Sequence, residues 1–245
     1  MSTSDLGKQD PVKTYDHDDP SLKSGEGGLT IWTLQKMALE RRFKELDDLF
    51  DSGVSLNSLP VGMSAGVGAS TLDTDIKLIN EWMTIFAAKN WRGKIFFSSN
   101  DKRVSQGRNR IRSNLLSSRG PFVPMMKFTT MLLDSHSLTP TAKSNIVSLT
   151  YTDPLTKPYL MEFVATRLQA LDLQVAVRGR YGPVYIGKTW FGKYDKNAEF
   201  TANVPHKVVG LYFLDFNEGA LKEQRESHWD GSEEEVLDPI PHIEN

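Results

Sequence analysis

The stretch Leu59–Thr71, LPVGMSAGVGAST, holds three glycines in seven residues, Gly62, Gly66 and Gly68, followed by Ser70 and Thr71. It can be read as a phosphate-cradling loop or as a strand. A Walker loop needs a Lys after its last glycine to reach the β/γ-phosphates; none follows Gly68. A dinucleotide fingerprint, G-x-G-x-x-G, opens a helix directly after an apolar strand. Here GMSAGVG reverses that spacing, and the preceding DSGVSLNSLP is loop-like. With a period of two the stretch becomes orderly. Val61, Met63, Ala65, Val67 and Ala69 fall on one side, and Gly62, Ser64, Gly66, Gly68 and Ser70 on the other. Such alternation marks a strand. One face is apolar and the other nearly bare. Glycine inside a strand signals a bend, a bulge or the close approach of another group. In a barrel, the bare face leaves room for a ligand or for a bulky neighbouring side chain; the sequence leaves both open.

Downstream segments share the β pattern. PFVPMMKFTTMLLD, SNIVSLTYTD, GPVYIGKTWFGKY and HKVVGLYFLDFN are rich in β-branched and aromatic residues and bounded by turn formers. RGRYGPV is a turn between strands. YLMEFVATRLQALDLQ fits either helix or strand. Upstream, Leu39, Phe43, Leu46 and Phe50 recur at helical spacing and predict one helix over 30–52. A second helix is expected from Asp73 or Thr74 to about Asn90, burying Ile76, Ile79, Met83 and Phe86. The fold class is therefore α+β: N-terminal helices followed by a mainly antiparallel sheet curled into a barrel. Residues 1–28 are too polar to order and read as a disordered leader, 29–218 as a single domain, and 219–245 as an acidic, mostly disordered tail.

Composition removes several classes of function. The net charge is −2, so no global basic excess points to nucleic acid. There is no cysteine, which excludes thiolate metal sites, Cys nucleophiles and disulfide scaffolds. No signal-peptide pattern or bilayer-length apolar run is present, and the expected location is cytoplasmic. Five histidines show no metal-site spacing, and no cofactor motif appears. Asp134 and His136 share a face if LDSHS is a strand, but the segment also reads as a turn.

KNWRGKIFF places Trp91, Gly93 and Lys94 in a W-x-G-K pattern. It resembles part of the motif of families named for G-x-W-x-G, which are similar to small lipocalin-like barrels; Lys89 replaces the first glycine. The resemblance implies a barrel with an apolar cavity and no particular activity. The segment DKRVSQGRNRIRSNLLSSRG carries six Lys and Arg residues without interleaved aromatics. It reads as a mobile surface loop that could pair with the acidic tail.

The expected function is a metal-independent barrel that binds or transforms a small hydrophobic or amphipathic molecule, of lyase, isomerase or cyclase type if an enzyme. Candidate catalytic groups are Tyr151, Asp153, Glu162 and Arg167. Candidate ligand-binding residues are Gly66, Gly68, Trp91, Tyr185 and Trp190. The alternative is a non-catalytic interaction module that docks a protein partner through the basic loop and C-terminal tail. Nucleic-acid binding ranks third.

Overall fold

The computed structural model describes residues 13–70, 89–114, 119–151, 168–193, 208–227 and 242–243. In chain order the elements are β1 (Thr14–Tyr15), α1 (Ile31–Leu39), α2 (Phe43–Asp51), β2 (Ser55–Leu56), β3 (Gly62–Met63), β4 (Ala65–Ser70), β5 (Trp91–Phe96), β6 (Ser98–Ser99) and β7 (Val104–Asn114). There follow β8 (Arg119–Leu133), β9 (Ile146–Tyr151), β10 (Leu168–Arg178), β11 (Pro183–Lys193), β12 (Val208–Asp215), α3 (Glu218–Ser227) and β13 (His242–Ile243).

Nine of these strands form one antiparallel sheet in the order β3-β5-β7-β8-β9-β10-β11-β12-β4. Its two edges, β3 and β4, are consecutive pieces of the opening stretch, separated only by Ser64. The sheet therefore curls back on itself into a nearly closed barrel. Ser64 is the hinge: its N–H donates to the Lys94 carbonyl at 2.9 Å, and its hydroxyl accepts the Lys94 N–H at 2.9 Å. Below the hinge β3 pairs with β5; above it β4 pairs with β12. The expected strand is present, but it is bent, and one strand serves two neighbours.

The two faces of the barrel wall bury different things. Ala65, Val67 and Ala69 face outward, with Leu171, Leu173, Val175, Val184, Ile186 and Phe213, into a layer closed by Ile31, Leu34, Leu46, Phe50 and Ala220 of the helices. The inner face carries Phe96, Phe128, Leu149, Tyr151, Tyr185, Tyr212 and Leu214. Helix α1 starts on a capping box, in which the Thr30 hydroxyl accepts from the Thr33 N–H and the Thr33 hydroxyl accepts from the Thr30 N–H. The single helix expected over 30–52 is broken into two. Arg41 takes φ 59, with Arg41 N–H donating to Ala38 O and Arg42 N–H to Met37 O. This is a Schellman stop built on arginine, so no glycine announced it.

Both ends of the folded region extend further than composition suggested. From Lys13 onward the leader belongs to the fold. Thr14–Tyr15 pairs in parallel with β2, the Ser24 N–H donates to Gly179 O at 2.7 Å, and Leu22 is fully buried in the inner-face cluster. The segment plugs the barrel end at which β11 begins and β12 ends. Leu22→Ala is expected to cost about 2–3 kcal/mol in urea denaturation, because it opens a cavity in that plug; an unchanged midpoint would mean the segment is detached. The supposed tail likewise begins with α3, whose Ala220 and Gln224 are buried, the Gln224 amide donating to Gly66 O at 2.8 Å. The basic segment is no surface loop. Most of it is β7, in which Arg110 and Arg112 are 3% and 4% exposed. Arg110 donates to Ser64 O and Arg92 O along the barrel seam, and Arg112 to Lys89 O. Among the described residues no helix is long and apolar enough to cross a membrane.

Candidate functional site

The centre of the barrel is polar. Strand β10 alternates strictly: Leu171, Leu173 and Val175 point to the helices, while Asp172 and Gln174 point inward. Facing them, β5 carries a bulge. Its register with β7 shifts between Trp91 and Lys94, and Gly93 sits at φ 121, a conformation that side chains rarely adopt. The bulge adds one residue, so that Trp91 and Lys94 both turn inward. This is the physical content of the W-x-G-K pattern.

Lys94 is 2% exposed, and its three ammonium protons meet three acceptors. Asn109 Oδ1 lies at 2.9 Å, Tyr151 Oη at 2.6 Å and Asp172 Oδ2 at 3.0 Å. Tyr151 in turn donates to Asp172 Oδ2 at 2.7 Å, and Thr189 donates to Asp172 Oδ1 at 2.7 Å. The Trp91 indole N–H donates to Asn109 Oδ1 at 3.0 Å. Four rings enclose the ammonium, with centroids of Tyr212, Phe128, Tyr151 and Trp91 at 4.8, 5.3, 5.3 and 5.7 Å. Burial pushes the Lys94 ammonium below the usual lysine range, against the opposing pull of Asp172. Burial, and then the Asp172 charge, push the Tyr151 phenol well above its ordinary value, so its hydroxyl is a proton donor at rest. The arrangement is an acid–base trio in a water-poor, aromatic box.

The residues singled out in the sequence scatter. Tyr151 and Trp91 belong to this network. Tyr185 is on the same inner face but at the plugged end, its hydroxyl 2.7 Å from His17 Nδ1. Trp190 is on the opposite face, buried with the helix-covered layer, and does not reach the interior. Gly66 leaves no open space: a Cβ there would fall on the Gly93 backbone, with the Trp91 ring 2.9 Å away. Gly68 pairs with Tyr212, and its carbonyl accepts from Gln35 at 3.2 Å. Tyr212 lies over Gly187 and Phe128 over Gly107, so rings fill the inner glycines. Asp153, Glu162 and Arg167 lie outside the described residues, as does the helix expected after Asp73 except for its last residues, Lys89 and Asn90, which are helical. Asp134 is in a surface turn bound to Arg103, and the His136 ring caps Leu138 N–H.

Lys94, Asn109, Asp172 and Thr189 were missed as a site. For Asp172 the available signal was polarity inside an apolar alternation, LDLQVAV, which looks the same whether the polar face meets water or a barrel interior; Lys94 stood in the W-x-G-K pattern but was not read as a site residue. Two further inner-face groups, Thr130 Oγ1 and Gln174 Nε2, are buried and meet no hydrogen-bond partner among the described residues. Also among the described residues, no three His, Cys, Asp or Glu side chains converge as a metal site.

No protein-family model matches the chain, and no curated protein and no solved structure matches it either.

Proposed function

We propose that the protein is a lipocalin-like barrel that takes a small hydrophobic or amphipathic molecule into its interior and acts on it by acid–base chemistry of lyase or isomerase type. The observation that carries this is the Lys94–Tyr151–Asp172 trio. A buried ion pair contributes no more stability than a well-packed apolar replacement, and perturbed titratable groups in a closed site are the mark of proton-transfer chemistry. Tyr151 is the proton donor. Lys94, donating to the same oxygen, stabilises the tyrosinate that forms when the proton leaves. Asp172 holds both in place and, with Thr189, fixes its own orientation. Gln174 Nε2 and Thr130 Oγ1, which meet no partner among the described residues, supply polar contacts for one end of the bound molecule. Because rings occupy the inner face, binding requires one to swing aside; Trp91, which is half-buried, is the ring closest to solvent.

Native mass spectrometry of the purified protein tests binding, through a co-purified small molecule. Tyr151→Phe is then expected to slow conversion of that molecule by about 10²–10⁴-fold, the usual worth of one general acid, while leaving its binding within a few-fold. Equal loss of binding and turnover would reduce Tyr151 to a packing role. The second reading is a rigid interaction module. It is favoured by the rings that fill the space above Gly66, Gly107 and Gly187. A protein that carries no small molecule and converts none would support it.

A further inference from the structure

The plugged end of the barrel carries a separate cleft of about 200 Å³, lined by His17, Asp18, Lys23, Tyr181, Asp215 and Phe216 among others. It holds about seven waters' worth of liquid volume, enough for a ligand of a few heavy atoms. Its walls are fixed. Tyr185 is fully buried, its phenol pushed well above the ordinary value by burial, and its hydroxyl shares a 2.7 Å hydrogen bond with His17 Nδ1, the donor being set by the imidazole tautomer. The His17 ring lies against Tyr185 and meets Phe216 edge-on, centroids 5.8 and 5.5 Å apart. Asn217 locks the rim by donating to Tyr181 O and accepting from the Gly219 N–H, and the Tyr181 hydroxyl bonds Glu223.

Asp215 is the anomaly. It is 1% exposed, and its Oδ1 accepts the Asn217 N–H at 2.9 Å, but its Oδ2 has no hydrogen-bond partner among the described residues. A carboxylate oxygen buried without a donor is costly. What would satisfy it is a donor that also brings positive charge. The surroundings suit a cation: Asp18 and Asp19 lie on the same cleft with Lys23, and Phe216 and Tyr181 form its aromatic wall, the Arg180 guanidinium standing 5.4 Å from the Tyr181 ring centroid. We propose that this cleft binds a small primary alkylammonium ion, its N–H groups taken by the Asp215 carboxylate and its alkyl part by the Phe216 and Tyr181 rings. An ammonium with hydrogens is specified because the unmet atom is a hydrogen-bond acceptor. A quaternary ammonium offers it nothing.

The charge state of Asp215 gives the site a pH signature. Burial pushes its carboxyl up to about 7; the Asn217 N–H opposes this, and Glu223 adds to it. The other titratable or charged groups around it are His17, Asp18, Asp19, Lys23, Arg180, Tyr181 and Tyr185. Burial holds the His17 imidazole below its ordinary value, so it is neutral near pH 7. An ammonium requires the ionised carboxylate. Affinity should therefore rise as pH passes through about 7 and level off above it, with about half a proton released per ligand at pH 7.

Isothermal titration calorimetry of the full-length protein with n-propylammonium chloride tests this, with tetramethylammonium and inorganic phosphate as comparisons. Propylammonium is expected to bind at pH 8 and about tenfold more weakly at pH 6. Tetramethylammonium should bind more weakly, phosphate not at all, and Asp215→Asn should abolish propylammonium binding. The asparagine keeps an acceptor for Asn217 N–H; should that variant not fold, the wild-type pH series and the proton release decide alone. No binding at pH 8, a pH-independent affinity, equal binding of tetramethylammonium, or binding of phosphate overturns the assignment. None of these outcomes touches the interior site, which is read by Tyr151→Phe.

Discussion

Lys94→Met should destabilise the protein by about 3–5 kcal/mol in urea denaturation, the cost of leaving one member of a buried ion pair without the other. Asp172 would keep its Tyr151 and Thr189 donors but lose its cation while remaining buried. Asn109 Oδ1 and Tyr151 Oη would lose a donor at the same stroke. The double variant Lys94→Met/Asp172→Asn should recover part of this, giving a coupling energy of about 2–3 kcal/mol in a double-mutant cycle. Additive effects would show that the two groups are held by the other partners and not by each other. The pH dependence has a definite sign. The folded-state value of Lys94 lies below that of the unfolded chain, so the unfolded state binds more protons between the two. Stability therefore rises with pH from the folded value up to about 10.4, the ordinary lysine value. Asp172→Asn removes the group that pulls Lys94 back up, so its rise should be the larger. An ion pair this costly to break yet replaceable by apolar packing is the feature that purely structural pressure explains least.

How far the sequence carries the fold is seen in two strands. In Leu59–Thr71 the period of two reveals a strand, and that strand is present. Its bend at Ser64 was not legible, because it depends on hydrogen bonds to Lys94, thirty residues away in the chain and adjacent only once the barrel closes. In β10 the alternation of Leu171, Leu173 and Val175 with Asp172 and Gln174 is equally clear. Which face is the inside was not. The usual assumption puts apolar residues inward. Here α1, α2 and α3 pack on the outside, so the apolar face packs outward and the polar face lines the interior. The same inversion put Trp190 among the expected ligand contacts and hid Asp172. Residues 13–28 looked too polar to order, but Tyr15 and Leu22 suffice to seat them against the barrel end.

Gly93→Ala should be as damaging as the loss of Lys94, about 3–5 kcal/mol, although it adds a single methyl group. Two costs combine. At φ 121 the backbone occupies a region nearly closed to side chains, a strain of about 1–3 kcal/mol. The new Cβ would also fall on Ser64 O, with Gly66 N at 3.0 Å, and both are backbone atoms of the seam. Overpacking of that kind costs about 1–3 kcal/mol more, and the neighbours cannot yield without loosening Ser64 from β5. Gly66→Ala meets the same seam from the other side, on the Gly93 backbone and the Trp91 ring, but without evident φ strain, and should cost about 1–3 kcal/mol. Gly210→Ala is the control: among the described residues its Cβ would meet only the Thr189 Cβ at 4.0 Å, so stability should change by less than about 0.5 kcal/mol. Tryptophan fluorescence adds a local readout, since Trp91 sits against Gly66. If Gly93→Ala behaves like Gly210→Ala, the bulge that turns both Trp91 and Lys94 inward is not what closes the barrel. If it unfolds the seam as expected, the glycines of the opening stretch are there so that two backbones can touch, and the space they leave is taken by the protein itself.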